Sequence, residues 1–420
     1  MIRKEALRQV IAQQKKEITS PQETVPRKVL DQLPEWFKDN RIIIITGIRR
    51  CGKSTLLKQI MQQKKGCCYL NFEHEQFLDF QAQDFEDLHE LLIECYGPAQ
   101  LYFFDEIQNI EKFEAFVRRL QDQRKKVILT GSNATLLSKE LGTKLTGRYK
   151  AIELYPFSFQ EFLAFQKIIW NKDWFYSTEK KVQLLQSFGE YLSKGGFPEY
   201  LINNDDTYLK TIYDNILYRD IISRYALKKQ KILRELVQLL LRSVSSQVTY
   251  NSLKSALGLA NSITVKEYIG YLHNSYLIFE LQKLDFSLRR QLAAPKKIYT
   301  IDSAMYRLNG LPFSENKGPI LENNVFVELQ RQNKEIYYFS GKRECDFVVK
   351  EGAKASEVIQ VCHTLNEQNK TREIEGLLEA LEHFKLKTGI IITTEQEEEM
   401  SIENKNIMII PVWKWLLACS

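Results

Sequence analysis

The chain has 420 residues, 44% of them hydrophobic and 27% charged, with a net charge of +6; this is the balance of a water-soluble globular protein of about three to four domains. No apolar run approaches the ~20 residues that span a bilayer. The polar, amphipathic start MIRKEALRQVIAQQKKE lacks the apolar core of a secretory signal, so neither a membrane nor an exported protein is expected. Seven cysteines form no C-x-x-C pair, and Cys67 and Cys68 lie in an apolar run. They read as buried free thiols in a reducing cytoplasm.

In chain order, residues 1–40 read as two short helices ending at Trp36 and Phe37. Four β-branched isoleucines, Ile42 to Ile45, then predict a buried parallel strand, which runs into Gly47, Ile48, Arg49, Arg50, Cys51, Gly52, Lys53 and Ser54. This is a full match to the P-loop pattern G-x-x-x-x-G-K-[ST], and the helix expected after Thr55, with Leu56, Leu57 and Ile60 on one face, supplies the context the motif requires. Glycines let the loop amides turn inward around phosphate oxygens. Lys53 is then expected to reach the β- and γ-phosphates and Ser54 to ligate Mg²⁺, with the helix N-terminus adding its positive end. ATP and Mg²⁺ are the expected ligands.

Strands predicted at 67–72, 101–105, 127–131 and 150–154 alternate with helices, the pattern of a parallel α/β sheet. The third of the five strands, Leu101-Tyr-Phe-Phe-Asp105-Glu106, ends in two carboxylates about 50 residues after the P-loop. Asp105 is placed to hold Mg²⁺ and Glu106 to orient or deprotonate the attacking water. The next strand ends in Gly131-Ser132-Asn133, where Asn133 either contacts the γ-phosphate or, with Ser132, caps the following helix. Arg148 reads either as an arginine finger toward a neighbouring subunit, which would imply a homo-oligomer, or as an ordinary surface arginine.

Residues 156–228 read as helical throughout, broken at Gly195-Gly196-Phe197-Pro198. Residues 229–312 carry 12 Lys/Arg against 5 Asp/Glu. They read as three helices followed by a β-ribbon with Arg289, Arg290, Lys296 and Lys297 near its turn, the layout of a winged helix. Such a module places its third helix in a major groove and its basic wing on phosphates, so DNA is the expected partner. Residues 313–420 reverse the balance, 13 Lys/Arg against 18 Asp/Glu. They return to mixed α/β, with apolar strands at 389–393 and 407–412 and an acidic solvated turn from Glu395 to Glu399.

Taken together, GIRRCGKSTLL, LYFFDEIQ, ILTGSNATLLSKEL, LTGRY followed by ELYPFSFQEF, and GGFPEY resemble one family of bacterial and archaeal P-loop ATPases with an AAA-type core. The resemblance covers nearly the whole chain. It implies a multidomain α/β protein: an N-terminal helical segment (1–40), a P-loop core (41–155), a helical lid (156–228), a winged helix (229–312) and a restriction-endonuclease-like α/β domain (313–420). It implies that Pro198, in a Gly-x-Pro of the lid, touches adenine. It also implies a degenerate nuclease site. Glu322, Asp346 and Gln360 stand at its carboxylate and metal positions, and Cys362 stands where an active member has lysine. Glu357, an odd number of residues from Gln360, falls on the other strand face. ATP hydrolysis that controls DNA engagement is the expected activity. A protein-binding switch is the alternative, and nuclease activity is not expected.

Overall fold

The computed structural model describes residues 4–20, 23–132, 147–308 and 317–418. They form two compact units, Met1–Tyr155 and Pro156–Ser420.

The first unit is built on five parallel strands, β1 (Ile42–Thr46), β2 (Cys67–Asn71), β3 (Leu101–Asp105), β4 (Lys126–Gly131) and β5 (Tyr149–Glu153), in the order β2-β3-β4-β1-β5. Helices cover both faces, which is why Ile42, Ile43, Ile44 and Ile45 are all buried rather than alternating. One face packs an aromatic cluster, in which Phe85 stacks on Phe116 at 4.6 Å and Phe104 lies 5.6 Å from the same ring. The N-terminus differs from expectation: a single helix, Lys4–Thr19, is followed by a short 3₁₀ and α turn reaching Trp36. Leu7, Val10, Ile11 and Ile18, at helical spacing, bury one face of the long helix. Gln14 on that face acts as a substitute strand. Its Nε2 donates to the Asn71 carbonyl at 3.0 Å and its Oε1 accepts from the Asn71 amide at 2.8 Å. The helix thereby pairs backbone groups that edge strand β2 would otherwise leave open.

In the second unit, helices Phe159–Phe165, Thr178–Lys194, Pro198–Asn203 and Asp206–Asn215 lead into a π-helical stretch, Ile216–Ser223. Pro198 opens its helix, where its missing N–H costs nothing. The break before it has a long-range cause. Asp302 accepts the Gly196 amide at 2.8 Å, and a Cβ on Gly195 (φ +73°) would fall 1.8 Å from an Asp302 oxygen.

Helices Gln230–Arg242, Tyr250–Ala256 and Ser262–Asn274 follow; Asn261 caps the third by accepting the Ile263 amide at 2.8 Å. Strands β6 (Gln247–Val248), β7 (Ile278–Leu281) and β8 (Lys296–Thr300) make a three-stranded antiparallel sheet, β6-β8-β7, with a short helix, Leu288–Ala293, at the β7–β8 connection.

The remainder is a short helix, Ser303–Arg307, helices Lys317–Arg331, Lys370–His383 and Val412–Ala418, and six strands, β9 (Glu335–Ser340), β10 (Glu344–Glu351), β11 (Lys354–Val361), β12 (Thr388–Thr393), β13 (Glu398–Ile402) and β14 (Lys405–Pro411), ordered β13-β14-β12-β11-β10-β9. The sheet is mixed, parallel along β11-β12-β14 and antiparallel elsewhere. Part of the expected acidic turn is edge strand β13, whose Glu398 and Glu399 pair with Ile409 and Met408. Acidic side chains on an edge strand discourage further pairing. The two sheets are hydrogen-bonded to each other, with Tyr338 accepting from the Leu284 amide (2.8 Å) and donating its own to Gln282 (3.0 Å).

Candidate functional site

The P-loop leaves β1 at the C-terminal edge of the parallel sheet. Gly47 has no room for a side chain, since a Cβ would lie 2.1 Å from the Leu154 carbonyl oxygen. Gly52, left-handed at φ 98°, is the N-cap of helix Lys53–Gln62. Arg50 is also left-handed at φ 66°, and strain of this kind gathers at ligand-binding loops. Ile48 and Cys51 are fully buried beneath the loop, while Ser54 is exposed and Thr55 half-exposed. Burial pushes the Cys51 thiol up, which leaves it an inert packing group. Arg49 leans on Glu73 at 3.5 Å. Lys53 is 5% exposed and curls back over the loop, its Nζ donating to the carbonyls of Gly47 (3.0 Å) and Ile48 (3.1 Å) and lying 3.9 Å from Glu106.

Asp105 is wholly buried at the end of β3. It accepts hydrogen bonds from Tyr69 on β2 (3.0 Å), from Thr130 on β4 and from Ser54. Burial, and then the neighbouring Glu106 charge, push its carboxyl up, while the hydroxyls pull it back down. Donors of this kind suit a carboxylate that shares a cation: Ser54 and Asp105, the residues expected to hold Mg²⁺, lie side by side. Glu106 sits in the left-handed region (φ 50°), donates its amide to Thr130 Oγ1 at 3.0 Å and accepts at its carboxylate from Gln108. Thr130 thus touches both acidic residues. It, Tyr69 and Arg27 are residues the sequence did not single out. Arg27 is 4% exposed and donates to the carbonyls of Cys51 (2.8 Å) and Tyr155 (2.6 Å).

Residues 39–163 match an AAA domain family, and residues 185–314 match a domain of unknown function, DUF8612. A Methanocaldococcus jannaschii protein described as uncharacterized protein MJ1544 is 36% identical over 399 residues, 90% of this chain and 88% of its own. The chain belongs to this family of AAA-domain proteins. A Haemophilus influenzae protein is 32% identical over 410 residues, 92% of this chain and 97% of the other. Among solved structures, the Walker-type ATPase PABY2304 of Pyrococcus abyssi is similar at 15% identity and a TM-score of 0.42, over 69% of this chain and 96% of that one.

Other expected residues of the AAA core fall differently. Asn133 lies outside the described residues. Arg148 is at the opposite edge of the sheet from the P-loop: its carbonyl accepts the Ile42 amide at the start of β1, and its side chain pairs with Asp122 at 2.7 Å. A five-residue strand separates the two edges by about 15 Å, so Arg148 does not touch the phosphate site of its own chain.

In the second unit, the four basic residues expected on one wing separate. Arg289 and Arg290 are exposed on helix Leu288–Ala293, with Arg290 pairing with Asp285 at 3.0 Å. Lys296 and Lys297 are buried, at 5% and 1% exposure. Lys296 donates to the carbonyls of Gln291, Leu292 and Ala294. Lys297 turns to the six-stranded sheet, where its ammonium lies 2.8 Å from each of Glu322, Glu344 and Asp346. Neither lysine is placed to meet a phosphate backbone, which corrects their assignment to a nucleic-acid surface.

Of the C-terminal residues, Glu322, Asp346 and Gln360 come together. Glu322, on helix Lys317–Arg331, accepts from Tyr299 at 2.7 Å. Asp346 on β10 accepts the Val361 amide at 2.8 Å, and Gln360 on β11 donates to Glu373 at 2.6 Å. Cys362 follows β11, its thiol pushed up to about 12 by burial and by Glu373. A cleft of about 510 Å³ opens over Glu322, Asp346, Gln360 and Glu373. The metal ion that a nuclease-type fold implies does not fit here, because the Lys297 ammonium already sits among the carboxylates that would share it.

Burial, together with the Asp346 charge, pushes the Glu322 carboxyl up to about 8 from an ordinary 4.5. The folded chain therefore holds a proton there that the unfolded chain releases. Stability from this group is complete below pH 4.5 and lost as pH rises to 8. Urea midpoints measured from pH 5 to 8.5 should fall, and Glu322→Gln should flatten that slope; an unchanged slope in the variant would refute the assignment.

Proposed function

We propose that the chain is an ATP-hydrolysing AAA-type ATPase whose nucleotide cycle controls engagement of DNA. One observation carries the hydrolytic part: Lys53, Ser54, Asp105 and Glu106 converge at one sheet edge, with a left-handed glutamate beside a buried aspartate. Lys53 leaves the carbonyls of Gly47 and Ile48 to meet the β- and γ-phosphates. Ser54 and Asp105 would hold Mg²⁺, which offsets phosphate charge when bound. Glu106 orients a water and takes its proton as the water oxygen attacks the γ-phosphorus and the ADP oxygen departs. The amides of residues 47–55 cradle the phosphates.

DNA engagement is assigned to residues 229–312, read as a winged helix, with Arg289 and Arg290 as the phosphate contacts. The C-terminal domain is proposed to cut nothing and to serve as a docking surface. Burial of Lys296 and Lys297 removes half of the expected basic wing, and that observation favours the second reading, a nucleotide switch acting on proteins.

Turnover measured with and without single-stranded, duplex and branched DNA separates the two. Stimulation by DNA that falls with salt and is lost in Arg289→Glu/Arg290→Glu, with basal turnover unchanged, supports the first. No binding of any DNA at low ionic strength would sink it. The same assay run across protein concentration tests whether Arg148 acts on a neighbouring protomer: turnover per subunit then rises with concentration.

A further inference from the structure

The segment before the first short turn of the N-terminal region belongs, on its contacts, to the P-loop. Arg27 is buried there, and its forked guanidinium holds two main-chain oxygens, Cys51 at 2.8 Å and Tyr155 at 2.6 Å. Gln59, on the P-loop helix, anchors the same segment separately, donating to Thr24 Oγ1 at 3.0 Å and to the Val25 carbonyl at 2.7 Å.

Cys51 and Gly52 share one peptide group, in the part of the loop that turns into the helix. A trans peptide is planar and points its C=O and N–H in opposite directions. With the Cys51 carbonyl turned out toward Arg27, the Gly52 N–H points away from Arg27, toward the inside of the loop where phosphate oxygens bind. A glycine neighbour makes this peptide easy to flip, since Gly52 tolerates φ values on either side of zero. An arginine held against the carbonyl removes that freedom.

We propose that Arg27 is a positioning residue of the nucleotide site: it fixes the Cys51–Gly52 peptide with the Gly52 N–H facing phosphate, and ties it to Tyr155, the last residue of the first compact unit. The proposal rests on the reading of this site as an ATP site. Arg27 itself touches no phosphate, so its effect is on affinity. Lysine has one ammonium in place of the fork and can hold one of the two carbonyls well, so it should restore part of the function.

The test is binding of a fluorescent ATP analogue together with turnover at saturating ATP, on the full-length protein. Arg27→Ala should weaken binding about tenfold or more, as expected when a hydrogen bond from a charged donor is lost, while the rate at saturation stays close to wild type. Arg27→Lys should fall between. Gln59→Ala, which loosens the same segment without touching the Cys51 carbonyl, should bind like wild type.

Wild-type affinity in Arg27→Ala would overturn the proposal, as would an equal loss in Gln59→Ala, because general packing would then account for it. If Arg27→Ala does not fold, Arg27→Gln and Arg27→Lys carry the same comparison, and wild-type affinity in both overturns it. A wild-type protein that binds no nucleotide would instead remove the ATP reading, an outcome seen before any variant is made.

Discussion

Lys297→Met should destabilise the C-terminal part of the chain by about 3–5 kcal/mol, the range for removing one partner from a buried charge cluster. The methionine keeps most of the side chain's length and packing, so the loss is electrostatic. Three carboxylates, from Glu322, Glu344 and Asp346, converge within 2.8 Å of the ammonium, which is 1% exposed as a residue. Without it, the buried Asp346 charge loses its counterion and must take up a proton or open to water. The Lys297 ammonium itself is driven well above its ordinary value: burial opposes the charge, but Asp346 and Glu322 more than offset it. The urea-unfolding midpoint measures the effect, and the double variant Lys297→Met/Asp346→Asn separates charge from packing. Neutralising one carboxylate should recover part of the loss, a coupling that distant sites do not show. A Lys297→Met protein as stable as wild type would mean that the ammonium is not the cation balancing this cluster. Arg290→Ala, on the exposed helix at the β7–β8 connection, should leave the midpoint where it is.

The same lysine shows where the sequence was readable and where it was not. The parallel sheet was legible because its signals are local: Ile42 to Ile45 is continuous apolar β-branched chain, and the strand positions at 101–105 and 127–131 fell within a residue of those observed. The P-loop spacing and Asp105-Glu106 were legible for the same reason. Lys296-Lys297 beside a turn read as surface charge because nothing local marks the partner of a lysine. Strand alternation did carry a hint, since Lys297 and Tyr299 share one face of β8, and both reach Glu322. Tyr69 in CCYLN reads as one more core aromatic, and only the pairing of β2 with β3 brings its hydroxyl to Asp105. Thr130 looks like the last residue of an apolar strand until that strand is placed beside β3. The Gly195-Gly196 break reads in sequence as an ordinary helix break, whereas its cause is Asp302, more than a hundred residues away. Each of these depends on a contact distant in the chain, which periodicity and spacing do not encode.

At the ATP site, two substitutions should fail in different ways. In the proposed role Lys53 meets phosphates in the ground state, so Lys53→Ala should weaken nucleotide binding by about tenfold or more, a loss of ~1.4 kcal/mol or greater. Removing the side chain also frees the carbonyls of Gly47 and Ile48, which now bind its ammonium, so loop order gives no compensation. Glu106 is proposed to act only on the water. Glu106→Gln keeps the side chain's size and its amide bond to Thr130, and should leave binding intact while cutting turnover by about a hundredfold or more, the usual share of a general base. The two effects belong to different quantities: one raises KM, the other lowers kcat. Calorimetric affinity beside steady-state turnover reads both. Wild-type turnover in Glu106→Gln would pass the water-orienting role to another group at this edge, such as Thr130. Loss of binding in that variant would place Glu106 among the groups that hold the loop open for phosphate, consistent with its 3.9 Å approach to Lys53.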